Sequence, residues 1–261
     1  MNMLKFLDRF PIYTFEPLYK PNEESRETLY VYGPGYKNEP ASFDIQCLQL
    51  QALALFSGKN YYIKYSNKPE ASPNGKLPFL INSQEVALDF DLATRDILED
   101  NANKNTGDKE VATIESLESL VQNSLKPALN LILWADDSNY ENYTLPKYTR
   151  DIQFPINLII GRQLKAEKLN KIYSSNPSAY KNNELVDMAI ECLKNLSVFI
   201  KNKEYFSGSN PGLLDAMIFS ILHIIINYPG ENALKNMLVD KESSCSVLLD
   251  YNKRVWDKYF S

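Results

Sequence analysis

The sequence predicts an α/β half followed by an all-α half, with an aromatic arm in front. Three observations lead there. Residues 28–99 alternate β-rich runs with amphipathic helical patterns, in the order β-α-β and then β-β-α. Residues 100–110 open with Asp-Asn-Ala-Asn-Lys-Asn-Thr-Gly-Asp, polar and without periodicity, which reads as a linker. Residues 111–261 carry apolar stripes at helical spacing only.

The elements follow in order. Residues 1–27 hold Phe6, Phe10, Pro11, Tyr13, Phe15, Pro17, Tyr19 and Pro21. Proline at this density forbids a long helix. The segment reads either as an arm packed on its own domain or as a docking arm for another chain. Thr28 to Tyr32 is a strand stopped by Gly33-Pro34-Gly35. Ser42 is placed as the N-cap of a first helix, with Asp44 in its first turn and Gly58 as its stop. Asn60 to Tyr65 is a second strand, Leu77–Ile81 and Glu85–Leu88 form a hairpin, and Asp91 to Leu98 is a helix. The strands on either side of the first helix are expected parallel and the hairpin strands antiparallel. In the helical half, one stripe runs from Ile114 through Leu125 to Ile132 with a kink expected at Pro127. A second stripe holds Leu185, Met188, Ala189, Cys192, Leu193, Leu196, Phe199 and Ile200. Val247, Leu248, Tyr251, Val255 and Tyr259 line a last helix.

Composition narrows the function. A net charge of -5 argues against a general nucleic-acid binder, which needs a basic surface. One histidine, His223, and three scattered cysteines, Cys47, Cys192 and Cys245, do not make a structural zinc site and fit a reducing compartment. The greasiest run, Ala216 to Ile226, is too short to span a bilayer. The first residues have neither the apolar core of a signal peptide nor an acid-free presequence. Membrane association is therefore expected to be peripheral or through a partner.

Three segments carry a family resemblance. Pro40-Ala41-Ser42-Phe43-Asp44-Ile45-Gln46-Cys47-Leu48 resembles the metaxin pattern that opens the first helix. Ala71-Ser72-Pro73-Asn74-Gly75-Lys76-Leu77-Pro78-Phe79-Leu80 is similar to the metaxin "SP-x-G-x-LP-x-L" segment. Tyr205-Phe206-Ser207-Gly208 through Leu214-Asp215-Ala216 resembles the signature of transferase helical domains. Gly212 stands where that signature has a serine or threonine, so Asp215 is left to act alone on the helix N-terminus. The resemblance implies a glutathione-transferase-like fold, thioredoxin-like in its first half. Phe10 to Thr14 and Ser66 to Leu80 most resemble the fungal metaxin-2-like branch. That implies a non-catalytic, peripheral subunit of the mitochondrial sorting and assembly machinery, on the cytosolic face of the outer membrane. Its implied partners are the barrel-forming subunit, a second metaxin-like subunit and β-barrel precursors.

The residues also test for a surviving enzyme. Transferases hold the γ-glutamyl carboxylate with a Gln/Glu-Ser pair after the fourth strand. The matching residues here are Asp89 and Phe90. Phenylalanine donates no hydrogen bond, and Asp89 with Asp91 repels a carboxylate. Tyr32 and Ser42 are the positional candidates for thiol activation and read as packing and capping residues. Cys47 reads as a buried hydrophobe, His223 as a core residue and Asp136-Asp137 as a solvated turn. No catalytic residue, cofactor or metal site is expected; a glutathione-dependent enzyme and the other metaxin-like subunit remain as alternatives. Candidate partner contacts are Phe6, Phe10, Pro11, Tyr13 and Phe15, and a basic stripe of Arg162, Lys165, Lys168 and Lys171 that could meet anionic lipid.

Overall fold

The computed structural model describes residues 27–99, 108–175, 184–230, 232–240 and 243–261. The aromatic candidates Phe6, Phe10, Pro11, Tyr13 and Phe15 lie outside them.

The first half is a four-stranded sheet in the order β2-β1-β3-β4, with β1 at Thr28–Val31, β2 at Tyr62–Tyr65, β3 at Phe79–Ile81 and β4 at Ala87–Leu88. β1 runs parallel to β2, pairing Thr28 with Tyr62 and Val31 with Tyr65. It runs antiparallel to β3, which is antiparallel to β4. The helix between β1 and β2 forces the parallel pair, and the Asn82–Val86 turn forces the antiparallel one. β1 lies in the interior of the sheet and is buried throughout.

Helix α1, Ile45–Ser57, ends at Gly58 in the left-handed conformation, φ 75°. Helix α2, Phe90–Glu99, packs on α1. In the helical half α3, Asp108–Leu120, continues through a π-helical turn at Val121–Leu125 into α4, Lys126–Trp134. The break expected at Pro127 is thus taken up one turn earlier, and the proline sits in the first turn of α4, where its missing N–H costs nothing. Short helices α5, Asp137–Asn139, and α6, Leu145–Tyr148, flank a second π turn at Tyr140–Thr144. There follow α7, Ile156–Ser175, α8, Glu184–Ile200, α9, Leu213–Asn227, α10, Ala233–Val239, and α11, Ser246–Tyr259.

One continuous core joins the halves. Its centre is α9, whose residues from Leu214 to Ile225 are all buried, and α9 packs directly on α1. Each such aliphatic side chain contributes about 1.5–3 kcal/mol of burial free energy. Met188 departs from its expected stripe and is 51% exposed. It lies about 70° around the α8 axis from the middle of the arc formed by Leu185, Ala189, Cys192 and Leu196. Among the described residues, no helix is long and apolar enough to cross a membrane.

Candidate functional site at the junction of the two halves

The junction is organised by Asp44. It is the N-cap of α1, in extended conformation, and its Oδ1 accepts from the amides of Gln46 and Cys47, both at 3.0 Å. This corrects the placement of Ser42 as the cap. Ser42 lies two residues too early, and its Oγ instead accepts the Asp44 amide at 3.2 Å, which fixes the capping residue. From the helical half, the Tyr148 hydroxyl donates to Asp44 Oδ2 at 2.8 Å, and Lys168 Nζ lies 3.6 Å from the same oxygen. Burial alone pushes the Asp44 carboxyl up. Lys168, the Cys47 amide and the Tyr148 hydroxyl more than offset it and hold the group below the usual carboxylate range.

Around this carboxylate the crevice is filled with rings. Tyr148 stands edge-on to Phe43 at 4.9 Å and to Tyr32 at 5.2 Å, and Trp134 closes on it at 4.8 Å. Tyr32 is buried there, and burial with the charge of Asp44 drives its hydroxyl far above the ordinary tyrosine range. Burial likewise raises the Cys47 thiol, whose sulfur accepts the Tyr32 amide at 3.4 Å. Neither group is disposed to ionise near neutral pH.

The residues that match a transferase's glutathione positions are Pro78, Asp89 and Phe90. Leu77–Pro78 is cis. Asp89 caps α2, accepting the Leu92 amide on Oδ1 at 3.0 Å, and Phe90 is the first residue of that helix. Asp89 thus satisfies one amide of the α2 N-terminus, and Phe90 offers no side-chain donor there. Before β3, Ser72 Oγ accepts the Lys76 amide at 2.7 Å and Gly75 turns at φ 69°, so Ser72, Pro73 and Gly75 shape this turn.

Arg162, Lys165, Lys168 and Lys171 do not form one stripe. Three-residue spacing turns each side chain about 60° back around the helix. Arg162 is exposed; Lys165 pairs with Asp137 at 2.8 Å and lies 4.3 Å over the Tyr140 ring. Lys168 and Lys171 face a cavity of about 260 Å³, where Lys126 from α4 joins them. The sequence reading missed Lys126, because its neighbours in space come from a different helix. Asp136 is also more than a solvated turn, since it caps α5 by accepting the Asn139 amide at 2.7 Å.

Two other residues take structural places. Asp215 is fully buried and accepts the amides of Phe206, Ser207 and Gly212 at 2.8, 2.9 and 3.2 Å, together with the Tyr251 hydroxyl at 2.8 Å. Since Gly212 has no side chain, only this half of a capping box exists. His223 stacks on Trp256 at 4.7 Å, and its Nε2 lies 3.0 Å from Glu39 Oε1 in the loop after β1. Among the described residues, no cluster of three or more His, Cys, Asp or Glu could hold a metal ion. A run of exposed apolar side chains opens α7: Phe154 is 78% exposed and Ile159 56%.

Comparison with known proteins agrees with this geometry. Residues 47–165 match the family model described as outer mitochondrial membrane transport complex protein, and residues 189–255 match the glutathione S-transferase C-terminal domain. A metaxin-1 homolog of Caenorhabditis briggsae is 27% identical over 84% of this chain and 70% of its own length. Metaxin-3 of Xenopus laevis is 29% identical over 68% of this chain, and mouse metaxin-2 is 24% identical over 75%. The match spans only 60% of that metaxin-3 and 61% of mouse metaxin-1. A glutathione transferase of Ceriporiopsis subvermispora, solved with glutathione, superposes with a TM-score of 0.58 over 88% of this chain and 97% of its own, at 12% identity. One from Phanerochaete chrysosporium gives 0.57 over 88% of this chain and 96% of its own, at 11% identity. At such identity the likeness concerns the fold. A transferase-like fold, the match to the outer-membrane transport model and sequence similarity to three kinds of metaxin together support the metaxin family, on a glutathione-transferase-like fold.

Proposed function

We propose that this chain is a non-catalytic subunit of the mitochondrial sorting and assembly machinery, of the metaxin-2-like branch. In this reading it sits peripherally on the cytosolic face of the outer membrane, bound to the barrel-forming subunit beside a second metaxin-like subunit, and assists insertion of β-barrel precursors. The observation that carries it is the match of residues 47–165 to the outer-membrane transport family. The capped Asp89-Phe90 corner and the ring-filled crevice support a binding rather than a catalytic role. The exposed run from Phe154 to Ile159 supports it too, since such a surface suits a subunit that meets a partner. A soluble subunit is useful to this process because an unclosed barrel precursor leaves backbone groups unpaired, and lipid penalises these heavily.

Affinity isolation of the tagged chain from mitochondria in mild detergent, followed by mass spectrometry, is the direct test. The expected result is co-isolation of the barrel-forming subunit, and alkaline carbonate should release the chain from membranes. Specific retention on immobilised glutathione with thiol-transfer turnover would instead favour an enzyme. Carbonate-resistant insertion, or isolation without the barrel-forming subunit, would count against the proposed assembly.

A further inference from the structure

The cavity between α1, α4 and α7 is lined by Lys126, Lys168 and Lys171, with amide side chains from Gln122 and Asn130 and an apolar floor at Ile172. It contains none of the transferase positions, Pro78, Asp89 or Phe90. Among the described residues, its lining has no carboxylate. The nearby Asp44 is spent on the α1 cap and on Tyr148, leaving Lys168 a long contact of 3.6 Å. Three lysines from two helices therefore line one space, where Lys126 Nζ donates to the neutral Gln122 Oε1 at 3.2 Å and one buried carboxylate does not neutralise them all. Like charges gathered in a partly buried space repel, and an entering anion relieves them. The strain registers on Lys126: burial first, then the like charge of Lys171, pulls its ammonium down to about 8, against the opposing pull of Asp44 and Asp91.

We infer that this cavity is a binding site for a small phosphate monoester, its dianion held by Lys126, Lys168 and Lys171. A phosphate carries about -1.5 to -2 charges near neutral pH and three acceptor oxygens, which suits a cavity lined by three lysines. The volume of about 260 Å³ admits the phosphate and a small organic group and excludes a nucleoside triphosphate. The inference rests on the side chains lining the cavity and is independent of the assembly role proposed above. The helix dipole of α1 is not needed, since Asp44 already caps that end.

The test uses the full chain with inorganic phosphate as first probe, at ionic strength held constant with chloride. Saturating phosphate should raise the melting temperature by about 5 °C. Lys126→Gln combined with Lys171→Gln should abolish that rise, and the more exposed Lys171→Gln alone should weaken phosphate binding about tenfold without unfolding the chain. With ¹³C-dimethylated lysines, the Lys126 resonance should titrate to higher pH when phosphate is present. Vesicles of phosphatidylcholine with and without phosphatidic acid separate the two sources. Binding to phosphatidic acid that the lysine substitutions abolish assigns a lipid headgroup, and a response confined to soluble phosphate assigns a free ester. A phosphate effect that is not saturable, or that survives both substitutions, overturns the inference. So does a loss of partner capture in the lysine variants with no phosphate response, which would make the lysines a protein contact.

Discussion

Asp44 and Asp215 are two buried carboxylates in the same chain, held in opposite ways. Each stands at the start of a helix, and each is bonded at 2.8 Å by a tyrosine hydroxyl from a distant segment. Asp215 is satisfied by three backbone amides and Tyr251, all from the helical half. Asp44 takes two amides from its own helix, and Tyr148 and Lys168 from the other half. The difference is one of reach. Asp215 knits a local corner, and Asp44 fastens one half to the other beside a basic cavity.

Substitution should expose that contrast. Asp215→Ala strands three buried amides and a buried hydroxyl at once, and should cost about 4 kcal/mol in urea unfolding. A loss under about 1 kcal/mol would show that the corner is held by packing alone. Asp44→Ala should cost less, about 3 kcal/mol, because Lys168 keeps partial access to water.

pH then sharpens the comparison. The Asp44 carboxyl is held below its ordinary value in the folded chain, so its stabilisation is complete above the unfolded-state pKa near 3.9 and is lost as pH falls through the lower folded value. The stability gap between the wild type and Asp44→Asn should stay level from about pH 7 to pH 5 and close below about pH 4. A gap that instead changed between pH 5 and 7 would point to a different titrating group.

The smallest effect lies away from both carboxylates. Gly58 ends α1 at φ 75° with open space where a Cβ would go, so Gly58→Ala should cost about 1 kcal/mol through backbone conformation alone. Equal stability of this variant would mean that the end of α1 relaxes.

Much of this was legible in the sequence. The strands and their pairing follow from β-rich runs broken by glycine, proline and asparagine, and the spacing of a helix between two strands dictates a parallel pair. The Asp89-Phe90 pair was readable without coordinates, because which side chains can donate a hydrogen bond follows from residue type alone. The cap of α1 was misplaced, since Ser42 and Asp44 are both competent caps, and Tyr148 and Lys168, more than a hundred residues on, favour the second. Lys126 stayed hidden for the same reason: its meeting with Lys168 and Lys171 is made by packing between α4 and α7, which no local pattern encodes.

The burial of α9 on every side has a mechanical consequence. A helix sheathed by α1 on one flank and by its own half on the others has no face prepared for water. The seam between the halves is therefore not a place to cut. A fragment ending near residue 99 would leave α1 without its cover, and the complementary fragment would present bare leucine and isoleucine to solvent. Both pieces should precipitate rather than fold, and intact chain should melt in a single cooperative step. Any regulation that works by prising the halves apart would have to unfold the protein to do it.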